Sequence, residues 1–178
     1  AVLDVAQIPH QAQVLDSAIS TLGGLDVALV AHGTLPVQSA CEKEVGETVN
    51  ALHVNFMATV ALLTVLANYL EAQRRGSIAI ITSVAGDRGR RSNYVYGAAK
   101  GGVERFLQGM RNRLHASGVT VLTIKPGFVD TPMTAALKKS PLFASARRVG
   151  RGIHRAIERR QDVVYIPWFW RPVMMVIR

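Results

Sequence analysis

Residues 77–125 read SIAIITSVAGDRGRRSNYVYGAAKGGVERFLQGMRNRLHASGVTVLTIK, and this stretch decides the fold. It opens on an apolar, β-branched run (77–83) and closes on another (119–125), each the length of one buried strand. Between them, residues 93–116 read as a helix that stops at Gly118. Strand, helix, strand in that order predicts two parallel strands joined by a crossover. Two further apolar runs, 26–31 and 163–167, extend the pattern on either side. Residues 11–22 read as an amphipathic helix ending at Gly23-Gly24, and residues 145–160 as another. A long helix is expected over about 41–75, with Ser39 as N-cap, Glu42 as its capping-box partner and Gly76 closing it. The prediction is an α/β protein, a doubly wound parallel sheet covered on both faces, in one domain over residues 1–178. The segment 130–144, with Pro132 and Pro141, reads as a loop at the carboxyl edge of the sheet, where open α/β folds bind ligands.

Composition narrows the classes. No block reaches the roughly 18 uninterrupted apolar residues of a membrane span; 60–67 is broken by Thr64 and 173–177 is too short. Asp4 and Pro9 interrupt what would be the core of a signal peptide, and the first residue is Ala1 rather than Met, so a longer gene product is expected. The lone Cys41 has no internal disulfide partner, which suits a reducing cytoplasm. The formal charge of +9 is uneven. Arg74 and Arg75 form one group, Arg88, Arg90 and Arg91 a second, and basic residues dominate 138–160 against one Glu. One reading is a solvated basic face; the other is attraction to a phosphorylated substrate or an anionic membrane surface. The aromatics do not interleave with these groups as a nucleic-acid stacking platform needs, so no nucleic-acid partner is expected.

The chemistry centres on Tyr96-Gly97-Ala98-Ala99-Lys100. On a helix, positions i and i+4 share a face, so both side chains reach one site. A Tyr hydroxyl is a weak acid, and a nearby ammonium stabilises its phenolate and brings it into proton-transfer range. Alone, such a pair is as well read as a surface helix pair. Ser83 changes the odds: it ends an apolar strand, thirteen residues before Tyr96, where its hydroxyl can donate to a substrate carbonyl. The plain alternative is a strand-end Ser that caps the following turn.

Thr82-Ser83-Val84-Ala85-Gly86 followed by Tyr96-Gly97-Ala98-Ala99-Lys100 resembles the short-chain dehydrogenase/reductase family, whose active-site pattern is Ser, twelve residues, then Tyr-x-x-x-Lys. The resemblance implies a Rossmann-like dinucleotide-binding fold, NAD or NADP as cofactor, and Asn55, Ser83, Tyr96 and Lys100 as catalytic residues. His53-Val54-Asn55 resembles the helix Asn that holds a water in the proton relay behind the Lys. Lys125-Pro126-Gly127-Phe128-Val129-Asp130-Thr131 resembles the Pro-Gly motif. There the Val129 backbone would bind the nicotinamide carboxamide, and Thr131 the carboxamide or a phosphate. Pro126-Gly127 turns the chain and lets backbone approach a flat ring. Asp4-Val5 resembles the pair that contacts adenine, and Ala31-His32-Gly33 stands where the family has Asn-Ala-Gly. Gly33 keeps the tight approach to cofactor, and His32 fills the small-residue slot rather than acting as base, since Tyr96 holds that role. The Gly-rich pyrophosphate loop is absent, so a partial domain is expected, cut at its N-terminus and short at its C-terminus.

The stretch 86–93, with Val30-Ala31-His32-Gly33-Thr34, resembles the branch of decaprenylphosphoryl keto-ribose reductases. That implies a lipid-linked sugar substrate and a peripheral contact at the inner face of the membrane, which the arginines and Trp168-Phe169-Trp170-Arg171 would suit. Core or dimer packing is the plainer role for the tryptophans. The generic reading is a cytoplasmic reductase of a small ketone, aldehyde or sugar. A different class is a non-catalytic nucleotide-fold binding or regulatory protein, or an inactive fragment; the intact Asn, Ser, Tyr and Lys set argues against it. No metal site is expected. Pairing of the helices over 41–75 and 93–116 is expected to give a homodimer or homotetramer.

Overall fold

The computed structural model describes residues 2–177. The elements run α1 (Gln11–Leu22), β1 (Val27–Val30), α2 (Gln38–Cys41), α3 (Val45–Leu52), a π-helical turn (His53–Met57), α4 (Ala58–Gln73), β2 (Gly76–Ile81), α5 (Tyr94–His115), β3 (Val119–Pro126), β4 (Val129–Asp130), β5 (Ala144–Ser145), α6 (Ala146–Glu158), β6 (Val163–Ile166) and α7 (Trp170–Ile177). Strands β1, β2, β3 and β6 form one parallel sheet in that spatial order, and β4 and β5 pair separately.

Alternation along the strands divides the core into two layers. On β2, Ile78 and Ile80 pack with Leu63, Leu66 and Leu70 of α4 and Leu107 and Leu114 of α5. Ala79, between them, faces the other way and packs with Leu122, Ile124 and the α6 residues Val149, Ile153 and Ala156. The sheet is thus covered on both faces, as the sequence pattern requires. At the far end of α5, Arg111 donates to the Val121 carbonyl, the Thr123 hydroxyl and the Asp162 carbonyl, pinning the helix to β3 and the start of β6.

The long helix expected over 41–75 is broken. A short helix, α2, begins at Gln38 on the N-cap Val37, so Ser39 lies inside it and caps nothing. Gln38 Oε1 accepts from the Val95 amide, which ties this turn to the start of α5. The chain then leaves helical geometry: Glu44 is extended (φ −122, ψ 112), and Thr48 Oγ1 donates to the Cys41 carbonyl across the gap. From Val45 to Gln73 the helix is long and apolar enough to cross a membrane, but Leu63, Ala67 and Leu70 are fully buried against the protein's own sheet. Gly76 does not close it either. Arg74 takes the left-handed turn (φ 56), and Gly76, at φ 125, opens β2.

Candidate active site

Strand β2 stops at Ile81, two residues short of the expected end, but the Thr82 amide and hydroxyl both still bond the Ile124 carbonyl of β3. Ser83 is therefore delivered at the carboxyl edge of the sheet. Its Oγ accepts from the Ala85 amide and caps a 3-10 turn over Val84–Gly86. This turn lies directly on α5. A Cβ at Gly97 would sit 2.8 Å from the Ala85 carbonyl oxygen, one at Gly101 2.9 Å from the Gly86 oxygen, and one at Gly86 2.8 Å from the Gly101 nitrogen. Bare backbone on bare backbone brings Ser83 beside Tyr96, and both line one cavity of about 390 Å³.

The Tyr96 hydroxyl is pushed above its ordinary pKa by burial, against the hydrogen bond with Ser83, which favours the phenolate. Lys100 lies one turn behind, 4% exposed, with Nζ 5.7 Å from the Tyr96 ring centroid and donating to the Ile81 carbonyl at 3.3 Å. Burial lowers its pKa to about 8, and Glu104 opposes the fall. Asn55 reaches the same place from the π-helical turn, whose extra residue re-aims the helix's side chains. Its Oδ1 accepts from the Thr34 amide, and its Nδ2 donates to Thr34 Oγ1 and the Ala51 carbonyl. A Cβ on Gly33 would lie 3.1 Å from Asn55 Oδ1 and 3.3 Å from Lys100 Nζ, so the turn after β1 passes at backbone distance from both. His32 Nε2 meets Thr59 Oγ1 at 2.9 Å, and Thr59 donates to the Asn55 carbonyl. Burial first and Lys100 second hold the His32 pKa below its usual value.

Pro126, Gly127, Val129 and Thr131 line the same cavity. The bare face of Gly127 has an occupant: a Cβ there would meet Trp170 Nε1 at 1.9 Å. Trp170 is 3% exposed and packs with Phe128 and Met174, while Trp168 is 73% exposed, so the tryptophans divide between core and surface. Asp4 and Val5 do not line the cavity. Asp4 caps its own turn through the Ala6 amide, and the Val5 carbonyl takes a hydrogen bond from Gln11, which also donates to the Ala58 carbonyl of α4.

The two arginine groups do not share a cleft. Of Arg88, Arg90 and Arg91, only Arg90 lines the cavity, with a contact to Met174 Sδ at 3.6 Å. Arg88 donates to the Ile177 carbonyl. Arg147, Arg148 and Arg151 line a separate shallow groove with Ser145 and Arg155. They lie on the exposed face of α6, because its Val149, Ile153 and Ala156 are turned to the sheet. Sequence reading missed Thr34 and Thr59 as partners of Asn55. No local spacing marks them; they meet it only through the fold. The cavity walls are otherwise mainly apolar, with Leu35, Val84, Met133, Leu137, Val149 and Ile153 among them.

Residues 1–141 match the short chain dehydrogenase family. An uncharacterized oxidoreductase of Mycobacterium tuberculosis is 36% identical over 175 residues, 98% of this chain and 70% of that one. A crystal structure of a short chain dehydrogenase from Burkholderia cenocepacia in complex with NADP superposes with a TM-score of 0.80 at 21% identity, over 92% of this chain and 66% of that one. A gluconate 5-dehydrogenase from the same organism, in complex with NADP and tartrate, superposes with a TM-score of 0.80 at 19% identity, over 93% and 72%.

Proposed function

The chain belongs to the short chain dehydrogenase family, and on that premise we propose that it is an oxidoreductase moving hydride between NAD or NADP and a carbonyl or alcohol carbon. The observation that carries this reading is the convergence of Ser83 and Tyr96 on one cavity with Lys100 buried behind. A bound nicotinamide dinucleotide supplies the hydride. The residues fit the nicotinamide half: Gly33 lets the turn after β1 pass close to Lys100 and Asn55, and Pro126, Val129 and Thr131 line the cavity with Tyr96 and Ser83. Lys100 and Tyr96 would hold the ribose, with Ala31 and His32 beside them, and Asp4 and Val5 the adenine end. Two family structures hold NADP, in line with this choice of cofactor.

In the reducing direction the Ser83 hydroxyl donates to the substrate oxygen while accepting from the Ala85 amide. The Tyr96 hydroxyl gives the proton. Burial alone makes it a poorer acid; with the one Ser83 proton committed to the substrate oxygen, the ammonium of Lys100, one helical turn behind, is the charge placed to stabilise the phenolate. Asn55, locked by Thr34, holds the proton relay behind Lys100. Oxidation runs the same steps backward.

The test is transfer of deuterium from 4-deuterated NADPH or NADH to a panel of ketones, aldehydes and keto-sugars. Label appearing at the former carbonyl carbon supports the reading, and no transfer to any member of a broad panel contradicts it. A finer reading takes a polyprenyl-phosphate keto-sugar as substrate, drawing on the apolar walls and on Arg90 as the one cation lining the cavity among the described residues. It predicts a higher kcat/KM for a phosphorylated sugar than for its neutral analogue, shrinking at high salt. Equal values at low salt would remove it. Assembly as a homo-oligomer through α4 and α5 belongs to the same proposal: Thr64, Phe106, Gly109 and Met110 line a groove between these helices. Light scattering that returns a monomer at micromolar concentration would contradict it.

A further inference from the structure

Behind the Ser83 turn lies a buried ion cluster that no step above uses. Lys125 Nζ donates to Asp87 Oδ1 and to Glu104 Oε2, each at 2.6 Å, and these side chains are 7, 0 and 8% exposed. The Tyr165 hydroxyl donates to Asp87 Oδ2 at 2.9 Å. Glu104 Oε1 is buried beside Thr82, whose hydroxyl donates to the Ile124 carbonyl, and it faces Gly86, where a Cβ would lie 2.8 Å away.

Each member is one step along the chain from a site residue. Asp87 follows the turn that Ser83 caps. Glu104 stands one helical turn beyond Lys100, in the row Tyr96, Lys100, Glu104. Lys125 immediately precedes Pro126-Gly127. Stability is a weak explanation, because an apolar trio of the same shape serves a core as well or better. Glu104 lies on the α5 face of Lys100 as well as on Lys125, so its carboxylate is placed to act on both cations.

We propose that the Asp87–Lys125–Glu104 cluster is a positioning device for the site: Lys125 ties the Ser83 turn, α5 and the Pro126-Gly127 turn together, and Glu104 supplies the negative charge that keeps Lys100 an ammonium. The proposal rests on the reading of Lys100 given above. Besides Glu104, the titratable groups facing Lys100 are Tyr96 from its own helix and His32 from the turn after β1. The π-helical turn offers the neutral Asn55 and β2 the Ile81 carbonyl. Glu104 is thus the one anion in that set. Burial raises the Glu104 carboxyl, and Lys125 pulls it back. Burial acts to lower Lys125, but its bonds to Asp87 and Glu104 outweigh that and hold it above the usual range.

The test is Glu104→Gln, which keeps the shape and an acceptor for Lys125 while removing the charge. Lys100 is read directly by pH titration of its ¹³Cε NMR resonance, assigned with Lys100→Arg. In Glu104→Gln the midpoint should fall by about one pH unit or more, and the alkaline limb of kcat/KM should fall with it. Asp87→Asn removes a like charge from the far side of Lys125 and should move the midpoint less. A Lys100 midpoint unchanged in Glu104→Gln, or moved as far by Asp87→Asn, overturns the proposal. If Glu104→Gln does not fold, Glu104→Asp carries the test: a midpoint held near the parent's supports it, and a midpoint fallen as burial alone would drive it overturns it. The NMR titration needs no turnover, so an inactive protein would count against the proposed reaction and leave this inference to be judged on the titration.

Discussion

Two walls border the cavity, and they are built differently. The first is the Ser83–Gly86 turn lying on α5, where Gly86, Gly97 and Gly101 let backbone meet backbone and a buried ion cluster closes the rear. The second is the stretch 131–142. Its Met133, Leu137 and Leu142 are 45, 41 and 44% exposed, and it is framed by the two-residue strands β4 and β5 and a surface ion pair, Lys139–Asp130. Nothing on the first wall can move without disturbing its neighbours. The second is tied mainly to itself, through the Thr131–Thr134 capping box and the Thr134 hydroxyl on the Val129 carbonyl. On the proposed reaction the contrast assigns them different work: the wall that would hold the proton donor is over-determined, and the wall that would meet the substrate is left adjustable.

The sharpest way to break the contrast is on the first wall. Tyr96→Phe keeps the ring and its packing, so turnover should fall by about 10²- to 10⁴-fold while thermal unfolding stays near the parent's. Next comes Gly97→Ala. Its Cβ would sit 2.8 Å from the Ala85 oxygen, backbone that cannot step aside. Overpacking of this kind costs about 1–3 kcal/mol, measurable by denaturant titration, and activity should fall as Ser83 is displaced.

Lys100 carries a pH signature. Its pKa in the folded protein is about 8, below the value near 10.5 for an unperturbed Lys. The folded state therefore binds fewer protons than the unfolded one between those values, so stability rises with pH across that window. Below pH 8 the buried ammonium detracts from stability. Lys100→Met should accordingly raise the denaturation midpoint at pH 7 while removing turnover. In the parent, activity should decline as pH rises through about 8. The smallest effect belongs to the second wall. Leu137→Ala should change stability by no more than about 0.5 kcal/mol, yet shift the kcat/KM ratio between long and short apolar substrates by about tenfold or more. An effect on stability as large as that of Gly97→Ala would erase the distinction between the walls.

What the sequence made legible follows the same line. Ile78, Ala79 and Ile80 alternate faces, and Tyr96 and Lys100 share one, because strand and helix periods are local rules. Ser83 was found by its place at a strand end. The ion cluster was not, because Lys125 meets Asp87 and Glu104 across 38 and 21 residues, and no local spacing encodes such a meeting. Glu104 alone left a trace, as the next member of the row begun by Tyr96 and Lys100. The break at Glu44 was hidden because Ser39 and Glu42 form a plausible cap, while the turn before it bonds the Val95 amide of a distant helix through Gln38 and the gap itself is bridged by Thr48 on the Cys41 carbonyl. The arginines misled for a related reason. Arg90 and Arg147 both follow or precede site segments in the chain, but the burial of Val149 and Ile153 turns the α6 arginines outward.

The central claim is that Ser83 and Tyr96 act as one unit on one substrate oxygen. A double-mutant cycle tests it most directly, with kcat measured for the parent, Ser83→Ala, Tyr96→Phe and the double variant. If the two hydroxyls stabilise the same developing charge, the double variant should be little slower than Tyr96→Phe alone, well short of the product of the two single effects. Losses that multiply would mean that Ser83 and Tyr96 contribute independently, and would contradict the account.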